Sequence, residues 1–177
     1  VYNKNFLFRF LCDLGNCIPV KRATSDRVAL LKVIKLLKKE NLCGLFPEGQ
    51  RSRDGKIGQA KLGVAIMALK SGSPIVPLAI KGTFEAFPRK TKFIKPANVI
   101  LKFGDPLQYA VEKKPSKERI NEVRDEIMSR IQKLYEMMVW GSLLVAIPTT
   151  YLADWFIQVL YGANFQDAAT VLKIYIW

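Results

Sequence analysis

Residues able to do chemistry cluster in one stretch of the chain, Phe46-Pro47-Glu48-Gly49-Gln50-Arg51-Ser52-Arg53-Asp54-Gly55. Arg51 and Arg53 supply two guanidinium forks at alternate positions, a geometry suited to bidentate capture of phosphate. Glu48 can orient an arginine or accept a hydrogen bond from a substrate hydroxyl. Gly49 permits backbone angles closed to other residues, and Lys56 and Lys61 add positive potential. No G-x-x-x-x-G-K-[ST] and no G-x-G-x-x-G is present, so the nucleotide cradles built on those patterns are absent. Ser52 has no neighbouring base to activate it as a nucleophile. Composition alone leaves a second reading open for this stretch, a solvated polar loop.

The chain has 177 residues and no histidine. A Ser-His-Asp triad, a Cys-His pair and a histidine metal cluster are therefore excluded within it. Three cysteines, Cys12, Cys17 and Cys43, contain no C-x-x-C pair and cannot complete a zinc site; free thiols are expected, and no metal is called for. Residues 1–136 carry 27 Lys and Arg against 13 Asp and Glu, a balance of +14, whereas residues 137–177 carry one Lys against two Asp, a balance of −1. So basic a segment should be drawn to polyanions such as phosphorylated metabolites or anionic lipid headgroups. Nucleic acid is not favoured, because the lysines alternate with core residues along helices rather than forming a stripe with interleaved aromatics.

The elements that must hold these residues read as follows. Tyr2–Leu14 is an apolar helix and Cys17–Val20 a brief strand closed by Lys21-Arg22. Ser25 can cap a helix to about Glu40. Leu42–Phe46 is a strand, and Ala60–Lys70 a helix stopped by Ser71-Gly72-Ser73-Pro74. Ile75–Ile80 is a strand, Lys81–Pro96 a basic loop and Asn98–Phe103 a further strand. Ser116 opens a helix with Ile120, Val123, Ile127, Ile131 and Leu134 on its core face. Strands separated by helices argue for an α/β fold, a mostly parallel sheet flanked by helices. Ligands bind at the carboxyl ends of such strands. That rule points to Lys21-Arg22, Pro47–Asp54 and Lys81-Gly82-Thr83.

After Glu136 the composition changes. Residues 137–177 form an apolar helical tail in which Met137–Ala153 holds no charge, at the lower limit for a membrane span. Trp140, Trp155 and Trp177 flank its apolar runs as interface anchors would. The expected organisation is an α/β domain over 1–136 and a membrane-associating tail over 137–177.

Phe46-Pro47-Glu48-Gly49-Gln50-Arg51-Ser52 resembles the F-P-E-G-T-R-S block of the glycerolipid acyltransferases, typified by lysophosphatidic acid acyltransferase. Ile18-Pro19-Val20-Lys21-Arg22 resembles the preceding block of that family, Ile75-Val76-Pro77-Leu78-Ala79-Ile80 the following V-P-V-A-I block, and Lys102-Phe103-Gly104-Asp105-Pro106-Leu107 its late F-G-x-P-[IL] turn. The four blocks stand in order and cover roughly residues 5–136. The resemblance implies transfer of an acyl group from acyl-CoA or acyl carrier protein to 1-acyl-glycerol 3-phosphate in phospholipid synthesis, with no cofactor, on the cytoplasmic face of a membrane. It implies that Arg22, Arg51 and Arg53 hold the acceptor phosphate while Glu48, Gly49 and Gln50 shape the loop.

There are departures. Gln50 replaces the commoner threonine, and Asn16 stands where the family usually has glycine, with Gly15 one residue earlier. The family's H-x-x-x-x-D block, which supplies the general base, is missing; its expected place is upstream of Val1, so truncation is expected ahead of natural loss. The alternative function is a non-catalytic basic module that binds anionic membrane. Separately, Gln158–Ile174 resembles a stretch of the polysaccharide-export flippases, which would make the chain part of a fusion.

Overall fold

The structure is a computed structural model, and it describes residues 6–20, 27–88, 91, 93–162 and 165–175. Its elements in order are α1 (Phe6–Leu14), α2 (Arg27–Leu37), α3 (Gly63–Ser71), β1 (Leu78–Lys81), α4 (Thr83–Ala86), β2 (Ile100–Phe103), α5 (Lys117–Tyr161) and α6 (Gln166–Tyr175). The chain divides into two compact units, one of residues 1–52, 56–76 and 105–128, the other of residues 53–55, 77–104 and 129–177.

In the first unit the core forms around α3 and the start of α5. Val64, Ala65, Ala68 and Leu69 of α3 are buried, as are Val123, Ile127 and Met128 of α5, and Leu69, Val123 and Ile127 are almost fully enclosed. The expected helix spacing accounts for this, since Val123 and Ile127 fall one turn apart on the inner stripe. Ser116 caps α5, its hydroxyl accepting the Arg119 amide N–H at 3.1 Å. The Glu118 carboxyl is held below the ordinary range, first by its own backbone amide and then by the Ser116 hydroxyl.

Three helices of this unit end in the same left-handed turn with three different residues. After α1, Asn16 takes φ 50, with its N–H donating to Asp13 O at 3.1 Å and the Cys17 N–H to Cys12 O at 2.8 Å. After α2, Glu40 takes φ 61, with its N–H on Leu37 O at 3.0 Å and the Asn41 N–H on Leu36 O at 3.2 Å. Both are Schellman closures. After α3, Gly72 takes φ 69 and donates to Ala68 O at 2.9 Å. Asn16 thus occupies the conformation that glycine adopts without penalty, as asparagine can; Glu40 does the same with a side chain poorly suited to it.

In the second unit β1 and β2 pair antiparallel, in register Leu78↔Phe103 to Lys81↔Ile100. Gly82 follows at φ 93, and a Cβ there would lie 1.9 Å from the Asn98 carbonyl oxygen, so the two backbones touch. The expected basic loop 81–96 contains α4 and folds back, the Lys95 N–H reaching Ala86 O at 2.8 Å. Gly104 lies close under Leu134 of α5, which a Cβ would meet at 2.8 Å.

The mostly parallel sheet is replaced, among the described residues, by this one antiparallel ladder. Cys17–Val20 and Leu42–Phe46 form no strand among the described residues; Leu42 and Phe46 are exposed, and Cys43 is only partly buried. An apolar run says that a segment fits a pleated, half-buried surface, but the partner strand decides whether it becomes one. The run Ile75–Ile80 is also divided. Ile75 exchanges two 2.8 Å hydrogen bonds with Leu107, and β1 starts only at Leu78, after Pro77, which has no N–H for a ladder.

Helix α5 runs without a break through residue 136, where the composition changes, and through Pro148.

Candidate functional site

The loop that carries the arginines is closed by backbone hydrogen bonds at its base. The Gly49 N–H donates to Phe46 O at 3.0 Å, making a tight turn over Pro47 and Glu48. Gly49 sits at φ 65, in the left-handed region. The Lys61 N–H donates to Pro47 O at 2.9 Å, fastening this turn to the residues that lead into α3. The segment before α3 therefore returns alongside the turn.

Two side chains exploit that return. Lys61 lies across Gly49, where a Cβ would meet its Cδ and Cε at 3.0 Å and its Nζ at 3.2 Å. Glu48, half-buried, lies against Gly58, where a Cβ would meet its Oε2 at 2.8 Å. Glycine at 49 and at 58 thus leaves room for an ammonium and a carboxylate on the same turn. Further along, the Ser52 hydroxyl donates to Lys56 O at 2.9 Å. Ser52 therefore ties the loop together.

Gln50 and Arg51 are exposed on this unit. Arg53 is exposed and belongs to the second unit, beside Gly55, whose left-handed backbone packs against the ring of Phe84 at 3.3 Å for a notional Cβ. Arg22 lies outside the described residues, so the expected convergence of Arg22 and Arg51 has no described geometry. The third strand end behaves differently from expectation. Lys81 does end β1, but its ammonium donates to the Ser142 hydroxyl of α5 at 3.3 Å, and that hydroxyl donates to Val139 O at 2.7 Å. It braces a helix.

The sequence reading counted Lys61 only as general positive potential. Its placement over Gly49 depends on the Lys61–Pro47 backbone bond, and the one sequence signal was the glycine opposite. Gly58 as the seat of Glu48 was missed, although a second glycine within the loop offered the hint.

Comparison with known proteins follows the same residues. Residues 2–81 match the Acyltransferase family model. Over 73 residues the chain is 38% identical to the chloroplastic 1-acyl-sn-glycerol-3-phosphate acyltransferase BAT2 of Brassica napus, covering 40% of this chain and 21% of that one. Over 120 residues it is 29% identical to the 1-acyl-sn-glycerol-3-phosphate acyltransferase of Bacillus subtilis, covering 67% of this chain and 57% of that one. The crystal structure of the LPA acyltransferase PlsC from Thermotoga maritima is similar over 72% of this chain and 49% of that one, at 28% identity and a TM-score of 0.49. The chain spans only part of these curated relatives, about a fifth of the Brassica protein and rather more than half of the Bacillus protein.

Proposed function

We propose, from the match of residues 2–81 to the Acyltransferase family model, that the protein takes part in acyl transfer to 1-acyl-glycerol 3-phosphate in phospholipid synthesis. The donor is a thioester, acyl-CoA or acyl carrier protein. A base removes the proton of the free glycerol hydroxyl, the oxygen attacks the thioester carbonyl, and the thiol leaves. These 177 residues include no histidine, so their part is to hold the acceptor. Arg51 and Arg22 grip the phosphate; Gly49 and Gln50 shape the turn; Glu48 accepts a hydrogen bond from the glycerol. Holding the acceptor still turns an encounter of two substrates into a nearly intramolecular step.

The observation that carries this reading is the match of residues 2–81, within which Gly49 makes the turn that puts Lys61 beside the arginine-bearing loop. The basic face bears on where the reaction happens. Lys32, Lys35, Lys38 and Lys39 stand exposed on and just after α2, suited to an anionic membrane surface on the cytoplasmic side.

The test is calorimetric binding of glycerol 3-phosphate to the chain and to its Arg51→Ala variant. Loss of a charge-assisted pair should weaken binding about 10- to 100-fold. Unchanged binding removes Arg51 from the phosphate site. The 177-residue chain alone should show no acyl transfer, and robust turnover without a histidine would overturn the division of labour.

A further inference from the structure

The end of α5 and the whole of α6 form a helical hairpin whose chemistry the acyltransferase reading does not use. Gly162, at φ 82, turns the chain, and its N–H donates to Gln158 O at 3.0 Å. Between the two helices only a narrow seam is closed, by Ala153, Ile157 and Ala169 with Leu172 against them. Most of the large apolar side chains outside the seam face outward. Trp140 is 69% exposed, Leu144 75%, Tyr151 83% and Ile174 69%. An open apolar groove of about 450 Å³ lies along the seam, lined by Ile157, Tyr161, Phe165, Ala168, Val171 and Leu172.

Three observations bear on what covers this surface. First, α5 is long and apolar enough to cross a membrane, and residues 137–161 at 1.5 Å per residue reach about 37 Å against a hydrocarbon thickness of about 30 Å. Second, the hydroxyls within the apolar run are satisfied inside the helix. Ser142 donates to Val139 O at 2.7 Å, Thr149 to Val145 O at 2.7 Å and Thr150 to Ala146 O at 2.8 Å. Such bonds also form in water-exposed helices, and in hydrocarbon they leave none of these hydroxyls unpaired, while Pro148 is tolerated there too. Third, Asp154 and Lys173 meet across the hairpin at 2.6 Å, each seven residues from its own helix end at the turn. Of the other charges near the segment, the Lys81 ammonium reaches Ser142 at its entry, where a lysine can extend to the headgroups, α6 carries only Asp167, on its first turn, and none lies on α5 between Met137 and Ala153.

We infer that residues 137–175 insert into a lipid bilayer as a helical hairpin, with Asp154 and Lys173 paired within it so that neither charge meets lipid alone. An isolated charge at the bilayer centre is disfavoured strongly enough to lower partitioning by roughly a hundredfold. The pair lowers that penalty and fixes the register of α6 on α5. The inference does not depend on the acyltransferase reading, and glycerol 3-phosphate binding through Arg51 is measured apart from it.

The experiment uses the full chain with vesicles of phosphatidylcholine and phosphatidylglycerol. All three tryptophans, Trp140, Trp155 and Trp177, lie beyond residue 136, so tryptophan emission, excited selectively over tyrosine, reports on this segment alone. The wild type should resist extraction by alkaline carbonate, and brominated lipid should quench its fluorescence. Lys173→Met should lower vesicle partitioning at least about tenfold. Asp154→Leu combined with Lys173→Met should restore it to within about twofold, because neutral partners need no pairing. Release of the wild type by carbonate or high salt overturns the insertion. Lys173→Met behaving like wild type, or the double variant failing as the single one does, overturns the paired charges.

Discussion

The core around α3 and the hairpin of α5 and α6 are both built from Ala, Val, Leu and Ile, yet they dispose of them in opposite ways. Around α3 the large apolar side chains turn inward, and Leu69, Val123 and Ile127 are almost fully enclosed. In the hairpin the closed seam is Ala153, Ile157 and Ala169, two of the three small, while Leu144, Leu152, Trp155 and Leu160 face out. In water, large apolar groups belong inside because their burial removes the most surface. Where lipid is the solvent that drive vanishes, and small residues gather at the contact because they let helices approach. The same residue types therefore report the surrounding medium through which of them are hidden.

Substitution can break this contrast directly. Leu69→Ala should destabilise the first unit by about 2–5 kcal/mol, the cost of an enclosed cavity, seen as a lower midpoint in urea unfolding. Leu144→Ala, at an exposed position, should change the unfolding free energy from the same measurement by no more than about 0.5 kcal/mol. Equal effects at the two positions would erase the distinction. A smaller effect sharpens it within the first unit. Glu40→Gly removes a side chain from a left-handed position and should raise stability by about 1 kcal/mol, read from the same urea curve. Smallest of all, Ser116→Ala should move the titration of Glu118 upward, because one of the two groups that hold its carboxyl low is lost. A depressed carboxyl stabilises the fold at neutral pH, and that contribution disappears as pH falls through its folded value. Site-resolved NMR titration of Glu118 checks the shift.

Much of this was legible in the residue order. The stripe Val123–Ile127 and the Ser116 cap announced the start of α5, and Ser71-Gly72 the end of α3, because helical periodicity and capping are local properties. Strand pairing is not local. Nothing in Leu42–Phe46 states whether a neighbour lies beside it, and the expected parallel sheet rested on that unseen neighbour. Pro77, by contrast, divided the Ile75–Ile80 run for a reason visible in the sequence, its missing N–H. The arginine loop was recognisable from its residue types, but the ammonium of Lys61 over Gly49 and the carboxylate of Glu48 over Gly58 needed the chain to return on itself. The composition change at residue 136 suggested a boundary in the chain, whereas α5 continues as one helix, since helix geometry is indifferent to which solvent surrounds it.

Gly82 has a consequence for the gene that encodes this protein. The Asn98 carbonyl occupies the space a β-carbon would need, and every missense change of a glycine codon adds one. Random mutation at that codon therefore meets a filter set by backbone contact alone, before any question of activity arises.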